Sequence, residues 1–387
     1  MVSLALHAVS SFTRDLFGAC TAISIDRGSV VVGSKDGLLI SWLTSTGEEL
    51  WRASIQGPIS DIARGLDRVF VTASSSLYAI DDSEGTVLWK ADLEGASDYV
   101  LRQGNLIWAT SSVYEIEVGD YTESSIWRFN GSGECEKQWT IPERSWFIGL
   151  SHGSVILGLG RPRCGILSIK GNELVHVEVG ERQPIVCGDY GSPSEEAVAI
   201  VGHSNGATTL IGDLYDESEE GFSISSECWT KVVEDPSAVC CILVADGGKE
   251  SITAYENGFV KSNHGWSYDV QGVVSAMAIG PHRIGESNRS LWACTGNRVL
   301  VLSTSVPRKD SPADTIPCGQ LELELSHECR IDKCASEGGT IVLADERGGI
   351  HFVNTEFLNR RMEEGSVEMS ADSRSSIMRE RLRRLRK

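Results

Sequence analysis

The sequence predicts an all-β fold: an eight-bladed β-propeller of four-stranded antiparallel blades, followed by a basic helical tail. Three observations predict it. Leu39-Ile40-Ser41-Trp42 … Trp51-Arg52-Ala53 returns 38 residues later as Leu77-Tyr78-Ala79-Ile80 … Trp89-Lys90-Ala91, and a period near 40 marks a repeat architecture. Each copy is a set of short apolar runs broken by turns such as Asp36-Gly37 and Asn257-Gly258, which signal tight hairpins. Glycine is frequent, at 40 of 387 residues, and proline scarce at 10. That balance suits many turns joining short strands.

The elements follow in chain order. The first copy reads as strands over 20–26, 29–34, 38–43 and 48–55, and the second copy runs over 59–93. The third starts near Tyr99, with an insertion at Asp120–Glu136 in its outer hairpin. The fourth covers 146–179, and the fifth, 185–233, is swollen by the acidic stretch Asp213–Glu220. The sixth covers 238–270, the seventh 273–325 with a polar excursion at Pro307–Pro317, and the eighth 329–357. The eighth shows only three strands, so Leu4–Val9 at the N-terminus is the expected fourth, closing the ring and protecting its edges. Seven blades is the alternative if the fifth or seventh copy is misparsed. The propeller then spans 1–361, a polar linker 362–376, and a basic amphipathic helix 377–387. Ile377, Met378, Leu382 and Leu385 share one face of that helix, with Arg379, Arg381, Arg383 and Arg384 elsewhere.

Charge and cysteine usage narrow the function. Net charge is −19, and residues 1–361 hold 28 basic against 49 acidic side chains. DNA binding by the body is therefore not expected, because phosphate contacts need clustered Lys and Arg. The eleven cysteines show no CxxC and no zinc-finger spacing. Several lie in apolar runs such as Val239-Cys240-Cys241-Ile242, where a thiol acts as a small hydrophobe. Reduced, buried cysteines point to the cytoplasm. The N-terminus does not read as a signal peptide or lipoprotein leader, and no run is long and apolar enough for a membrane helix.

The repeat Ser76-Leu77-Tyr78-Ala79-Ile80-Asp81 … Gly85-Thr86-Val87-Leu88-Trp89 resembles that of the PQQ-like, or quinoprotein-like, β-propeller family. The likeness is specific over 28–93, with fainter echoes ending at Trp139, Trp229 and Trp266. No Trp-Asp dipeptide occurs, so WD repeats are a poorer match. The resemblance implies that Trp51, Trp89, Trp139, Trp229 and Trp266 dock adjacent blades. It also offers two functional branches. Quinone-dependent dehydrogenases hold PQQ with Ca²⁺ and place a vicinal Cys-Cys pair against the quinone, a pattern that Cys240-Cys241 echoes. No Ca²⁺ ligand set matches here, so no cofactor is expected. The non-enzymatic envelope-assembly proteins of the BamB type are closer in style, although the lipidated cysteine is missing.

Motif searches add little chemistry. The eight histidines form no HExxH or other metal pattern. His327-Glu328-Cys329 with Cys334 fits no standard spacing and is set aside. The acidic loop lacks a calcium-binding pattern. The expectation is a non-enzymatic protein-interaction scaffold. Its docking elements are the long loops, including Asp216, Glu217 and Glu219, and the basic tail, which suits an acidic protein, RNA or an anionic membrane. A PQQ/Ca-dependent dehydrogenase and a cell-envelope assembly factor are the alternatives.

Overall fold

The second strand of each blade explains the architecture. Val30, Val31 and Val32 are all fully buried. Successive strand side chains point to opposite faces. Val31 packs with Val69, Val71 and Ile80 of the next blade, while Val30 and Val32 pack with Val342, Ile350 and Phe352 of the last blade. A strand covered on both faces reads as a continuous apolar run. The core therefore lies in the seams between blades, and a seam joins the last blade to the first.

The computed structural model describes residues 2–179, 182–191, 197–218, 221–224, 229–245, 248–281, 289–304 and 319–363. It shows eight four-stranded antiparallel blades. Blade 1 comprises Cys20–Asp26, Ser29–Ser34, Leu38–Leu43 and Glu49–Ser54; blade 2 comprises Ile59–Arg64, Arg68–Ala73, Ser76–Asp81 and Val87–Asp92. Blade 3 is Ala96–Gln103, Leu106–Glu115, Asp120–Phe129 and Cys135–Ile141; blade 4 is Ser145–Ser151, Ser154–Leu159, Ile166–Lys170 and Glu173–Val177. Blade 5 is Ile185–Asp189, Ala199–His203, Ala207–Ile211 and Trp229–Glu234. Blade 6 is Val239–Ala245, Glu250–Tyr255, Phe259–Ser262 and Ser267–Asp269. Blade 7 is Val274–Gly280, Arg289–Thr295, Arg298–Thr304 and Leu321–Ser326. Blade 8 takes Ile331–Glu337, Thr340–Asp345 and Gly349–Asn354 from the C-terminal part of the chain.

The fourth strand of blade 8 is Phe12–Asp15, paired antiparallel with Gly349–Asn354. This corrects the expectation for Leu4–Val9. Val2–Ala5 instead adds a parallel fifth strand to blade 7, against Leu321–Ser326. Leu6–Val9 is a helical turn, whose Leu6 and Val9 are fully buried between blades 7 and 8. An apolar pair at i,i+3 fits one helix face as well as a strand. Phe12-Thr13-Arg14-Asp15 was not recognised because it is an outer strand with only one apolar residue.

Three other expectations change. Asp120–Glu136 is not an inserted loop; it is the third strand of blade 3 and the start of its fourth, and the extra length lies in the paired strands Leu106–Glu115 and Asp120–Phe129. The acidic stretch after Asp213 folds in part as a two-stranded hairpin, Tyr215–Ser218 with Gly221–Ile224, carrying Asp216 and Glu217; Glu219 lies outside the described residues. A helix over 355–363 crosses the expected boundary at Arg361, and Met362 packs against the seam of blades 7 and 8. The excursion Pro307–Pro317 and the tail helix 377–387, with Arg379, Arg381, Arg383 and Arg384, also lie outside the described residues.

Candidate functional site

The blades are fastened by outer-strand aromatics resting on turn glycines of the next blade. Trp51 donates its indole N–H to the Asp82 carbonyl at 2.8 Å, with its ring over Gly85. A Cβ at Gly85 would lie 2.7 Å from that ring, so the glycine is required by close approach. Trp89 repeats the arrangement on Gly131 and Gly133, and Trp266 rests on Gly319. Trp139 instead stacks on Trp108 of its own blade, with centroids 5.8 Å apart. Trp229 is 38% exposed. It opens its strand, two residues ahead of the position that Trp51 and Trp89 occupy, and among the described residues it rests on no turn glycine. Phe12 was missed: its ring lies on Gly47, and Arg14 Nε donates to the Gly47 carbonyl at 2.6 Å, fastening blade 8 to blade 1.

The innermost strands line a central cavity of about 780 Å³, bordered by Asp61, Arg64, Tyr99, Trp146, Cys187 and Asp189 among others. Most of these strands break register after their first paired residue. The residue after the break is Ala22, Asp61, Phe147, Cys187, Cys241, Ala276 or Lys333 in blades 1, 2, 4, 5, 6, 7 and 8. Such bulges re-aim side chains. Asp61 accepts the Val100 and Ile62 amides at 3.0 and 2.9 Å; Asp189 accepts those of Val244 and Tyr190 at 2.7 and 2.9 Å. Each carboxylate thus ties its blade to the next one. Burial raises both carboxyl pKa values, that of Asp189 to about 6 despite these amide hydrogen bonds.

The vicinal pair Cys240-Cys241 lies on the innermost strand of blade 6, Val239–Ala245. Cys240 and Cys241 are free thiols, and burial pushes the Cys240 thiol up to about 11. Asp61 and Asp189 already serve backbone amides. Among the described residues no cluster of three metal-ligating side chains lines the cavity.

Beside the cavity mouth stands an arm. The strands Leu106–Glu115 and Asp120–Phe129 pair to their tips. The Arg144 guanidinium lies 4.5 Å from the Tyr121 ring and 4.6 Å from that of Trp146, and pairs with Asp98 at 2.5 Å. Cation–π contacts and a charged hydrogen bond brace the stem together. The tip is exposed and apolar: Tyr114 is 52%, Ile116 88% and Val118 62% accessible. A signal for it existed in Tyr114-Glu115-Ile116-Glu117-Val118, an alternating run with no partner strand for its apolar face.

Comparison with known proteins agrees with this geometry. Residues 10–120 match the family model described as outer membrane protein assembly factor BamB. The chain is a β-propeller whose residues 10–120 are similar to the PQQ-like repeat family. BamB from Moraxella catarrhalis shares 12% identity at a TM-score of 0.60, covering 89% of this chain and 97% of that one. Saccharomyces cerevisiae Sqt1 shares 11% at 0.67, covering 90% and 99%. The computationally designed Ika8 protein shares 14% at 0.66, covering 88% and 98%. At such identities the likeness of this propeller to these structures is one of fold. No curated protein matches the chain. Among the described residues no helix is long and apolar enough to cross a membrane.

Proposed function

We propose that this propeller is a non-enzymatic protein-interaction scaffold. The braced arm of blade 3 carries the reading. It holds Tyr114, Ile116 and Val118 out to solvent beside Trp146 at the cavity mouth. Clustered exposed apolar side chains on a rigid support are what a protein interface offers. Glu115 and Glu117 flank them, so the partner is a protein with an apolar patch rimmed by basic residues. The hairpin carrying Asp216 and Glu217, with Glu219 beyond it, is a second contact. The basic tail, through Arg379, Arg381, Arg383 and Arg384, is a third, suited to an acidic protein, RNA or an anionic membrane. The nine described cysteines are all free, which supports a cytoplasmic setting. An envelope-assembly role is the second reading, favoured by the family match over 10–120.

The test is affinity purification of the full chain beside an Ile116→Asp/Val118→Asp variant and a chain ending at Arg361. A stoichiometric protein should be recovered with the full chain and lost with the arm variant. Measured with the purified partner, the loss should reach about 2 kcal/mol, roughly 30-fold in Kd. Equal recovery by the arm variant would refute the arm. Absence of any partner from the full chain would refute the scaffold. Recovery of the partner only from an envelope fraction would favour the second reading.

A further inference from the structure

The segment joining blades 7 and 8 brings together side chains that the sequence spacing did not. A His327 ring nitrogen, Cys329 Sγ and an Asp345 carboxylate oxygen all lie within 4.8 Å of one another. Cys334, considered with them from the sequence, is instead on the innermost strand of blade 8 beside Cys294. Its place in the cluster is taken by Asp345, which ends the second strand of blade 8, and by His351 from the third.

The two carboxylate oxygens of Asp345 divide their work. Oδ1 accepts the Arg347 and Gly349 amides, each at 2.9 Å, and so shapes the turn. Oδ2 takes no part in that turn. It faces His327 Nε2 at 2.9 Å and His351 Nε2 at 3.2 Å. Fastening the turn accounts for Oδ1. It does not account for two imidazoles meeting at one oxygen with a thiol in reach. Cys329, Asp345 and His351 are each about 95% buried, yet His327, Cys329 and Asp345 all border an open cavity rimmed by Thr13, Asp15 and Arg347. An ion has a route in from solvent.

We propose that His327 Nε2, Cys329 Sγ and Asp345 Oδ2 bind a divalent metal ion of the zinc class, with His351 positioning Asp345. One nitrogen, one sulfur and one oxygen donor form a set that zinc accepts, leaving a fourth position for water. Metal–ligand bonds of about 2.0–2.3 Å place neighbouring donors some 3.3–3.8 Å apart. The His327–Asp345 pair would open slightly and Cys329 would close in. Binding releases the Cys329 thiol proton to solvent, and His327 moves its ring proton from Nε2 to Nδ1. His351 keeps its hydrogen bond to the carboxylate, as outer-shell partners of metal ligands do. Its other nitrogen faces Thr13 Oγ1 at 3.4 Å, on the strand that closes the ring. The metal would therefore clamp the 7–8 junction, blade 8 and, through His351, the closing strand.

The experiment is titration of the full chain, reduced and stripped with a chelator, with Co²⁺ and then Zn²⁺. One equivalent of Co²⁺ should give a thiolate-to-metal charge-transfer band that Zn²⁺ removes, and Zn²⁺ should raise the melting temperature. Cys329→Ser should abolish the band and His327→Gln should weaken binding at least tenfold. His351→Gln should weaken it 10- to 100-fold while keeping the band. Circular dichroism checks that each variant folds. No charge-transfer band in the full chain, or one that survives Cys329→Ser, would overturn the site.

Discussion

Gly85, at φ +71°, is one of many turn glycines, but the ring of Trp51 rests on it. Trp51 is 5% exposed and Trp229 38%. Trp51→Ala should thus cost about 3–5 kcal/mol, whereas Trp229→Ala should stay within about 0.5 kcal/mol. Urea denaturation of the two variants checks this, and equal costs would remove the distinction between docked and undocked tryptophan. Asp189 sets a pH dependence. Its folded pKa of about 6 lies above the ordinary 3.8, so the folded state binds the proton more tightly. Stability from this group is full below about pH 4 and falls as pH rises to 6, by on the order of 3 kcal/mol. Asp345 behaves oppositely. Burial raises its pKa, but hydrogen bonds from His351, His327 and the turn amides outweigh that and hold it low. Its contribution is present above about pH 4 and lost in acid. Asp189→Asn should flatten the limb between pH 4 and 6 in a urea-denaturation series; parallel curves for the two proteins would show that Asp189 does not set it.

Among the elements, the long hairpin of blade 3 and the short strand Phe12–Asp15 depart most from the repeat. The hairpin's stem is buried and braced; its tip touches little. Ile116→Asp with Val118→Asp should therefore leave stability within about 0.5 kcal/mol, so that lost partner binding reports the surface and not the fold. A drop in melting temperature of more than a few degrees would show the tip packing on the body instead. Tyr121 to Phe129 is rich in β-formers, yet the stretch reads as an insertion from the sequence. The length of the hairpin strands was not legible, because it depends on bracing by Arg144, Asp98 and Trp146 from other elements.

For the whole molecule, the decisive feature is the seam where the two ends of the ring meet. Blade 8 is completed by Phe12–Asp15, and Leu6 and Val9 fill the neighbouring seam. Removal of residues 1–15 should cost about 3–6 kcal/mol from Leu6 and Val9 alone, and more with the lost strand. A synthetic peptide of residues 2–15 should restore part of the melting temperature. A truncated chain that melts like the full one would show that the ring does not depend on this closure. The same seam holds the proposed metal site, whose His351 faces Thr13 of the closing strand, so the truncated chain should bind zinc more weakly than the full one.

The fold was legible because a propeller is local. Each blade is a run of adjacent hairpins, and apolar runs, Asp-Gly turns and the 38-residue period of Trp51 and Trp89 record that order directly. What joins distant parts of the chain was not legible. Phe12 meets Gly47 and Phe352, His327 meets Asp345 and His351, and Arg144 meets Tyr121 and Asp98 only when the ring is assembled. Sequence spacing cannot register such pairs, because they are chosen by blade geometry and by the need to bury or satisfy each group once the neighbours are in place. The sequence by itself determined the repeating blade and pointed to eight copies with seven as the alternative, and the structure decided for eight. The tertiary structure decided how the ring closes and which side chains come together on its faces.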